Sequence, residues 1–546
     1  MVNESRLDAV AGRLLATRSL AAIAIANALS FSLCNGLGVA VSLTPWIYVL
    51  SLAVAIALLR LQRPRRLANR PPPVAWWLGL GFSAALVLPR LVYPLEWWPG
   101  HTVDAMFDDY ARIAELASMT LSEGYPLRHP ANSALTLSFY YAAFYPMAVL
   151  KLLLPMLTLK DSIFIVSALY FLLLGASLVE VSFRLTADRT SGLILLFLCT
   201  WFGGLDWLGG NFLPFYGHSE WWARDFFDKP SQWSAYITAA QWTIHHFLGF
   251  YLCVIAWVFL RHSRFQPHWG KNLAVSLLLI AALFHSPFGF LPMLVVGLYW
   301  VALLWRRFAW HWSTPLLLLM MLLPLSVFTG RLVGDTLQLQ MALLQGDEPS
   351  VIASFVAYML LLPLVDMAAI PLALIYLLPR LSRLEQFLLL AAGAFLASTF
   401  FFYVPLFNNY SMRGLLLPGF IFFVLFARHW RSLPHPAAVA MLAVILVGGG
   451  MGGLREASGG WRYALWASSI ARQSWLELPD HPPHFAELRQ QARDGSYSIL
   501  RIDARDYRKR RPYLGEKLLP DVPPEKFKNM EREIAGRPHP AAKDGD

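Results

Sequence analysis

The stretch LSLAVAIALLRLQRPRRLANRPPPVAWWLGLGFSAALVL, residues 50–88, decides the architecture. It contains the end of one apolar run, then Arg60, Arg63, Arg65, Arg66 and Arg70, then the start of a second apolar run. A hydrocarbon layer takes roughly 20 apolar residues per crossing helix. Arginine-rich loops between such helices stay on the cytoplasmic side. The stretch therefore reads as two membrane helices, 43–60 and 74–93, joined by a cytoplasmic loop.

The pattern recurs along the whole chain, which is 57% hydrophobic and only 14% charged. A soluble protein of this composition would need many fully buried helices and is the poorer reading. The candidate spans are 19–38, 43–60, 74–93, 162–183, 190–208, 238–260, 272–286, 288–305, 312–329, 351–378, 386–406, 413–427 and 436–453. Arg6, Arg13 and Arg18 put the N-terminus on the side of the 60–70 loop, leaving 94–160 outside. Segment 135–159 is apolar but carries Pro146, Lys151 and Pro155. If it does not cross, the basic positions Arg184/Arg189, Arg261/Arg264/Lys271, Arg306/Arg307, Arg380/Arg383 and Arg428/Arg431 all fall inside. If it crosses, they all fall outside. The charge rule favours a re-entrant or surface-lying helix there.

The expected fold is an all-α polytopic membrane protein with about 13 transmembrane helices. Residues 1–73 supply two N-terminal helices and the basic loop. Residues 74–453 form the core, with outer loops 94–160, 209–237 and 330–350. The tail, 454–546, is expected outside as a small periplasmic domain. The first apolar run has no small-residue cleavage site and leads into another span, so no cleavable signal is expected. The location implied is the inner (cytoplasmic) membrane, multi-pass, with a cytoplasmic N-terminus. Cys34, Cys199 and Cys253 lie in apolar runs and read as small core residues. The net charge of +11 suits loops held against anionic membrane lipid. The basic residues are spread through loops and tail, which argues against nucleic acid.

The candidate chemistry lies on the outer side. On a helix over 104–121, Met106, Tyr110, Ile113, Ala117 and Leu121 share one face. Asp104, Asp108, Arg112 and Glu115 share the other, with Asp109 at its edge. That is the phase of a helix lying at the membrane interface. Asp108 and Asp109 then face water or a cleft, where a carboxylate can act as a general base or hold a divalent metal ion. The alternative is an ordinary Asp108–Arg112 pair on a solvated face. Arg413, at the end of Phe407-Asn-Asn-Tyr-Ser-Met-Arg413, is an arginine on the outer side and near a helix start. It suits a lipid-linked phosphate; the alternatives are a carboxylate partner or snorkelling. Gln241, His245 and His246 are polar groups inside a span end, suited to phosphate or sugar hydroxyls or else to a structural role.

The first-loop acids, with Tyr125-Pro126 and Tyr140-Tyr141, form one of three short patches. The others are Gln241 with His245-His246, and Asn408-Asn409 with Met412-Arg413. With the span count and the outer tail, these resemble the GT-C superfamily of polytopic, polyprenyl-phosphate-dependent glycosyltransferases, in its uncharacterised prokaryotic members. The resemblance covers roughly 74–453. It implies transfer of a sugar from a polyprenyl-phosphate carrier to a glycan, lipid or protein acceptor on the outer face. Asp108 or Asp109 would serve as base or metal ligand. Arg413, His245, His246, Asn408, Asn409, Gln241, Arg128 and His129 would bind the lipid phosphate and substrate. A different class also fits: a transporter or flippase of a lipid-linked or amphipathic substrate.

Overall fold

The described residues fold almost entirely into helices. The computed structural model describes residues 14–63, 70–92, 116, 119–120, 122–129, 132–136, 141–157, 159–205, 233–262, 264–265, 268–293, 340–341, 362–403 and 413–458. Helix α1 (Leu15–Leu37) stops at Gly38, whose φ of 61° lets its N–H reach back to the Cys34 carbonyl. Helix α2 (Thr44–Arg60) carries Pro45 in its first turn, where no N–H is needed. Helices α3 (Pro73–Val92), α4 (Tyr145–Leu153) and α5 (Leu159–Leu185) follow. A methyl group on Gly175 would lie 2.5 Å from the Gly79 carbonyl oxygen, so α3 and α5 cross at backbone contact.

Helix α6 (Arg189–Thr200) is capped by Asp188, which accepts from the Ser191 N–H. Beyond it come α7 (Tyr236–Trp242), α8 (Ile244–His262), α9 (His268–His285) and the single turn α10 (Pro287–Phe290). Then follow α11 (Ile370–Leu377), α12 (Arg383–Phe401), α13 (Leu416–His429) and α14 (His435–Ala443). Helix α14 continues through a wider-wound turn, Val444–Gly449, to Ser458. Short antiparallel ladders join β1 (Gln62–Arg63) to β4 (Arg264–Phe265), β2 (Arg128–His129) to β3 (Asn132–Thr136), and β5 (Gln340–Met341) to β6 (Phe402–Tyr403). Among the described residues, five helices are long and apolar enough to cross a membrane: Leu15–Leu37, Val41–Arg60, Asp161–Leu185, Ile244–Arg261 and His435–Ser458.

The basic turns gather at one end of the bundle. Arg18 donates to the Leu59 carbonyl, and Glu180 near the end of α5 accepts from the Ala16 and Thr17 N–H groups. The β1–β4 ladder ties the end of α2 to the α8–α9 turn. Arg431 pairs with Asp188 at 3.4 Å, Arg428 with Glu385 at 3.0 Å, and Arg380 donates to the Ser432 carbonyl. Helix α3 starts at this end and α5 returns to it. Between them, α4 has nine residues. That is about 13 Å of helix, under half the hydrocarbon thickness.

Four stretches depart from the expected spans for reasons of packing. The 190–208 run is helical only to Thr200. Gly203 and Gly204 (φ 80°) then leave the helix, against Gly452 and Gly453 at backbone contact. The described part of 351–378 is a wide turn, Leu362–Asp366, followed by Ala368 and Ala369 at φ 46° and 58°, before α11 starts. The 238–260 run breaks at Thr243, between α7 and α8. The end of the expected 209–237 loop is core: Trp233 is 2% exposed and packs edge-on against Tyr236 and Phe423.

Candidate functional site

Helices α8 and α9 are antiparallel, joined at the basic end. The start of one therefore meets the end of the other about 25 Å from the joining turn. That juxtaposition builds the polar cluster. His246 Nδ1 lies 2.6 Å from Ser286 Oγ, which also accepts from the Gly289 N–H and so caps α10. A methyl group on Gly249 would sit 2.5 Å from Ser286 Cβ, so glycine is what lets the two helices close here. The rings of His245 and His246 are 4.1 Å apart, with His245 against Phe144 and His246 against Phe288.

His285, one residue before Ser286, joins a second set of bonds. Its Nδ1 is 2.7 Å from the Ala281 carbonyl oxygen. A carbonyl only accepts, so the proton sits on Nδ1, and Nε2 accepts from Asn27 Nδ2 at 3.1 Å. The same amide nitrogen donates to the Tyr170 hydroxyl at 3.1 Å, and Tyr170 donates to the Ala143 carbonyl at 3.2 Å. The network holds His285 as the neutral tautomer and fixes the Asn27 amide. Asn27 Oδ1 is buried with no hydrogen-bond partner among the described residues. A buried acceptor of this kind calls for a water or a ligand atom.

Arg413 begins the turn that leads into α13, and it is half-buried. Its neighbour Gly414 packs on Phe395, with the Phe288 carbonyl oxygen 3.9 Å from where a methyl group would be. The Arg413 backbone thus adjoins α10, the turn capped by Ser286 beside His246. Gln241 is buried but stands on α7, across the Thr243 break from the histidines. Arg128 and His129 lie on β2, opposite Thr136 and Asn132. Asp108, Asp109, Asn408, Asn409 and Tyr140 lie outside the described residues.

Tyr125 and Tyr141 are 6% and 1% exposed, so both belong to the core and not to an interfacial belt. They stack on either side of Tyr145, and Tyr141 donates to Asn35 Oδ1 at 2.9 Å. Burial pushes the Tyr125 phenol well above its ordinary value, so it remains a donor. The stack closes the end of the α1–α2 hairpin, where Val41 N–H bonds Glu123 O and Tyr125 N–H bonds Val39 O.

Sequence reasoning did not single out Asn27, Tyr170, Ser286, Glu180 or Asp366. Asn27 and Glu180 were visible as polar residues inside apolar runs, which is a signal in itself. Asp366 is 8% exposed, in the wide turn that interrupts its segment. Among the described residues, no group of three or more His, Cys, Asp or Glu is placed to hold a metal ion. The cluster can offer imidazole, amide, hydroxyl and guanidinium groups to a phosphate or to sugar hydroxyls. Comparison with protein families, with curated proteins and with solved structures finds no match.

Proposed function

We propose that this chain is a multi-pass membrane glycosyltransferase of the GT-C kind, with its N-terminus in the cytoplasm and its reaction at the end of the bundle remote from the arginines. The observation that carries this reading is the His245–His246–Ser286 cluster beside the Arg413 turn, about 25 Å from the basic end. That depth suits a headgroup phosphate at the far interface, with the carrier's isoprenoid tail between helices. Arg413 and His245 would hold the phosphate and offset the charge it gains on leaving. The acceptor oxygen forms the bond to the anomeric carbon as that carbon's bond to the phosphate oxygen breaks. The electron pair leaves with the carrier phosphate, and the acceptor proton passes to Asp108 or Asp109.

The test is transfer from a polyprenyl-phosphate sugar by purified protein. Asp108→Asn or Asp109→Asn should lower turnover about 100-fold while carrier binding is kept. Arg413→Ala should weaken carrier binding, with Arg413→Lys only a partial rescue. Transfer at the wild-type rate by the double Asp variant would remove the acids from the reaction.

A transporter of a lipid-linked substrate is the second reading. It is favoured by the unwound segments 201–205 and 362–369 around buried Asp366, since broken helices inside a membrane often line a substrate or ion path. Movement of a carrier across a liposome membrane without any sugar transfer would establish it in place of the first.

A further inference from the structure

Hydroxyls inside this bundle can satisfy themselves on the carbonyl one turn back, as Ser83 does on Gly79, Thr186 on Ser182 and Thr200 on Leu196. Ser30, Ser51 and Ser167 are buried as deeply and do not take that bond. Each of their Oγ atoms, like Asn27 Oδ1, has no hydrogen-bond partner among the described residues. The four atoms stand on three helices, with α1 packed against both α2 and α5.

Helical geometry brings these atoms to one level. Helices α1 and α2 form an antiparallel hairpin. Ser30 stands as far before Leu37, the end of α1, as Ser51 stands beyond Thr44, the start of α2, which is about 10 Å along each helix. Tyr48 and Ser51 lie on the buried side of α2, opposite its exposed stripe of Trp46, Leu50 and Val54. Asn27 is one turn below Ser30 on the same side of α1. On α5, Ser167 stands one turn from Tyr170, which accepts from Asn27 Nδ2 at 3.1 Å. The Tyr48 phenol closes the group, within electrostatic reach of Tyr170. The set lies about 10–15 Å below the α1–α2 turn, well inside a hydrocarbon layer roughly 30 Å thick. At that depth each bare polar atom is a cost that bulk solvent does not relieve. Asn27 Oδ1 can only accept, while a serine hydroxyl can donate or accept. Water meets both demands at once, and every group in the set is neutral, which suits water better than an ion.

We propose that Asn27, Ser30, Ser51 and Ser167 line a hydrated chamber inside the bundle, a binding site for a small cluster of water molecules between α1, α2 and α5. The chamber meets the histidine cluster at Asn27 and is independent of the reaction the protein performs.

The test is hydroxyl-radical footprinting of the full chain in detergent. Radiolysis makes the radical from water itself, so a buried side chain is oxidised where water sits beside it. Tyr48 and Tyr170 are 6% and 2% exposed; Tyr236, 1% exposed with its hydroxyl on the Leu416 carbonyl, is the dry control. Tyr48 and Tyr170 should be oxidised faster than Tyr236. Thermal unfolding supplies a second readout. Ser30→Ala/Ser51→Ala takes two hydroxyls from a hydrated site and should melt about 1–3 °C lower, although alanine is the better helix former. In a dry site the same change removes two bare hydroxyls and raises the melting temperature. Should the double variant fail to fold, Ser167→Ala carries the same sign of shift on α5. Either of two results would overturn the chamber: oxidation of Tyr48 and Tyr170 no faster than that of Tyr236, which is also what an organic occupant would give, or a raised melting temperature in the serine variants.

Discussion

Replacing Glu180 should release the start of α1. Leu14, at that helix N-cap, is left-handed (φ 51°) and gives no side-chain cap. The cap comes instead from α5. Glu180 Oε1 accepts the Ala16 N–H at 3.0 Å, and Oε2 accepts the Thr17 N–H at 2.8 Å and the Thr17 hydroxyl at 2.6 Å. Thr17 has one hydroxyl proton and spends it on Glu180. It therefore accepts from Ser177, which in turn accepts from the Tyr251 hydroxyl. Every donor in this line points toward the carboxylate. Glu180→Ala leaves two buried N–H groups without acceptors and should destabilise the protein by about 2–6 kcal/mol, about 1–3 for each. Glu180→Gln turns an amide NH₂ against an N–H donor, so near-isosteric shape does not rescue it; a loss of about 1–3 kcal/mol is expected. Cys34, Cys199 and Cys253 are all buried. Thermal unfolding in detergent can thus be followed with a thiol-reactive dye. The expected order of melting temperature is wild type, then Gln, then Ala. A Glu180→Ala protein that melts with the wild type would refute the capping argument.

Other consequences follow from single contacts. The Glu385 carboxyl is held down to about 2, first by the His429 hydrogen bond and then by Ser382 and Arg428, against the effect of burial. A folded value below the unfolded one, about 4.3, means its stabilisation is full above that pH and is lost as pH falls toward 2; Glu385→Gln should melt lower near neutrality and show a flatter acid limb. Gly175→Ala puts a methyl group 2.1 Å from Ser83 Oγ and 2.5 Å from the Gly79 oxygen, so it should cost about 1–3 kcal/mol by forcing α3 and α5 apart, read in the same dye assay. Asn27→Leu strands the accepting Nε2 of His285 in an apolar setting and should cost about 1–3 kcal/mol, while a wild-type melting temperature would show that this bond contributes nothing.

The helical membrane character was legible because long apolar runs alternating with arginine loops have few other solutions. The breaks were not legible. Gly203–Gly204 interrupts a largely apolar run, and at that break Gly452 and Gly453 from far along the chain pass at backbone contact. The left-handed pair Ala368–Ala369 has no local signature at all, since alanine ordinarily favours helix. At the site, the adjacency of His245 and His246 was visible in sequence. Their approach to Ser286 depends on α8 and α9 pairing with glycine between them, which periodicity does not encode. That Trp233 and Tyr141 are core rings is not encoded in the sequence, because hydropathy cannot separate a ring packed in a bundle from one at a lipid headgroup.

Two buried polar clusters at opposite ends of this bundle can be told apart by hydrogen-bond capacity. At the basic end, Glu180 takes up both N–H groups of the α1 start, and the hydroxyl line from Tyr251 ends on it. A group so occupied can move only by breaking the helix it caps, which suits a structural fastening. At the far end, Asn27 spends both amide protons on Tyr170 and His285, yet its carbonyl oxygen has no partner among the described residues. Capacity left over in a buried site costs stability unless something outside the chain fills it. The same reasoning makes Asn27 the sensitive probe of the far end. A hydroxyl-bearing ligand that donates to Asn27 Oδ1 should be felt by Asn27→Leu, which removes that acceptor. Carrier or sugar binding measured for folded Asn27→Leu should fall about tenfold, one lost hydrogen bond. Binding unaffected by that change would confine the ligand to the His246–Arg413 side of the cluster.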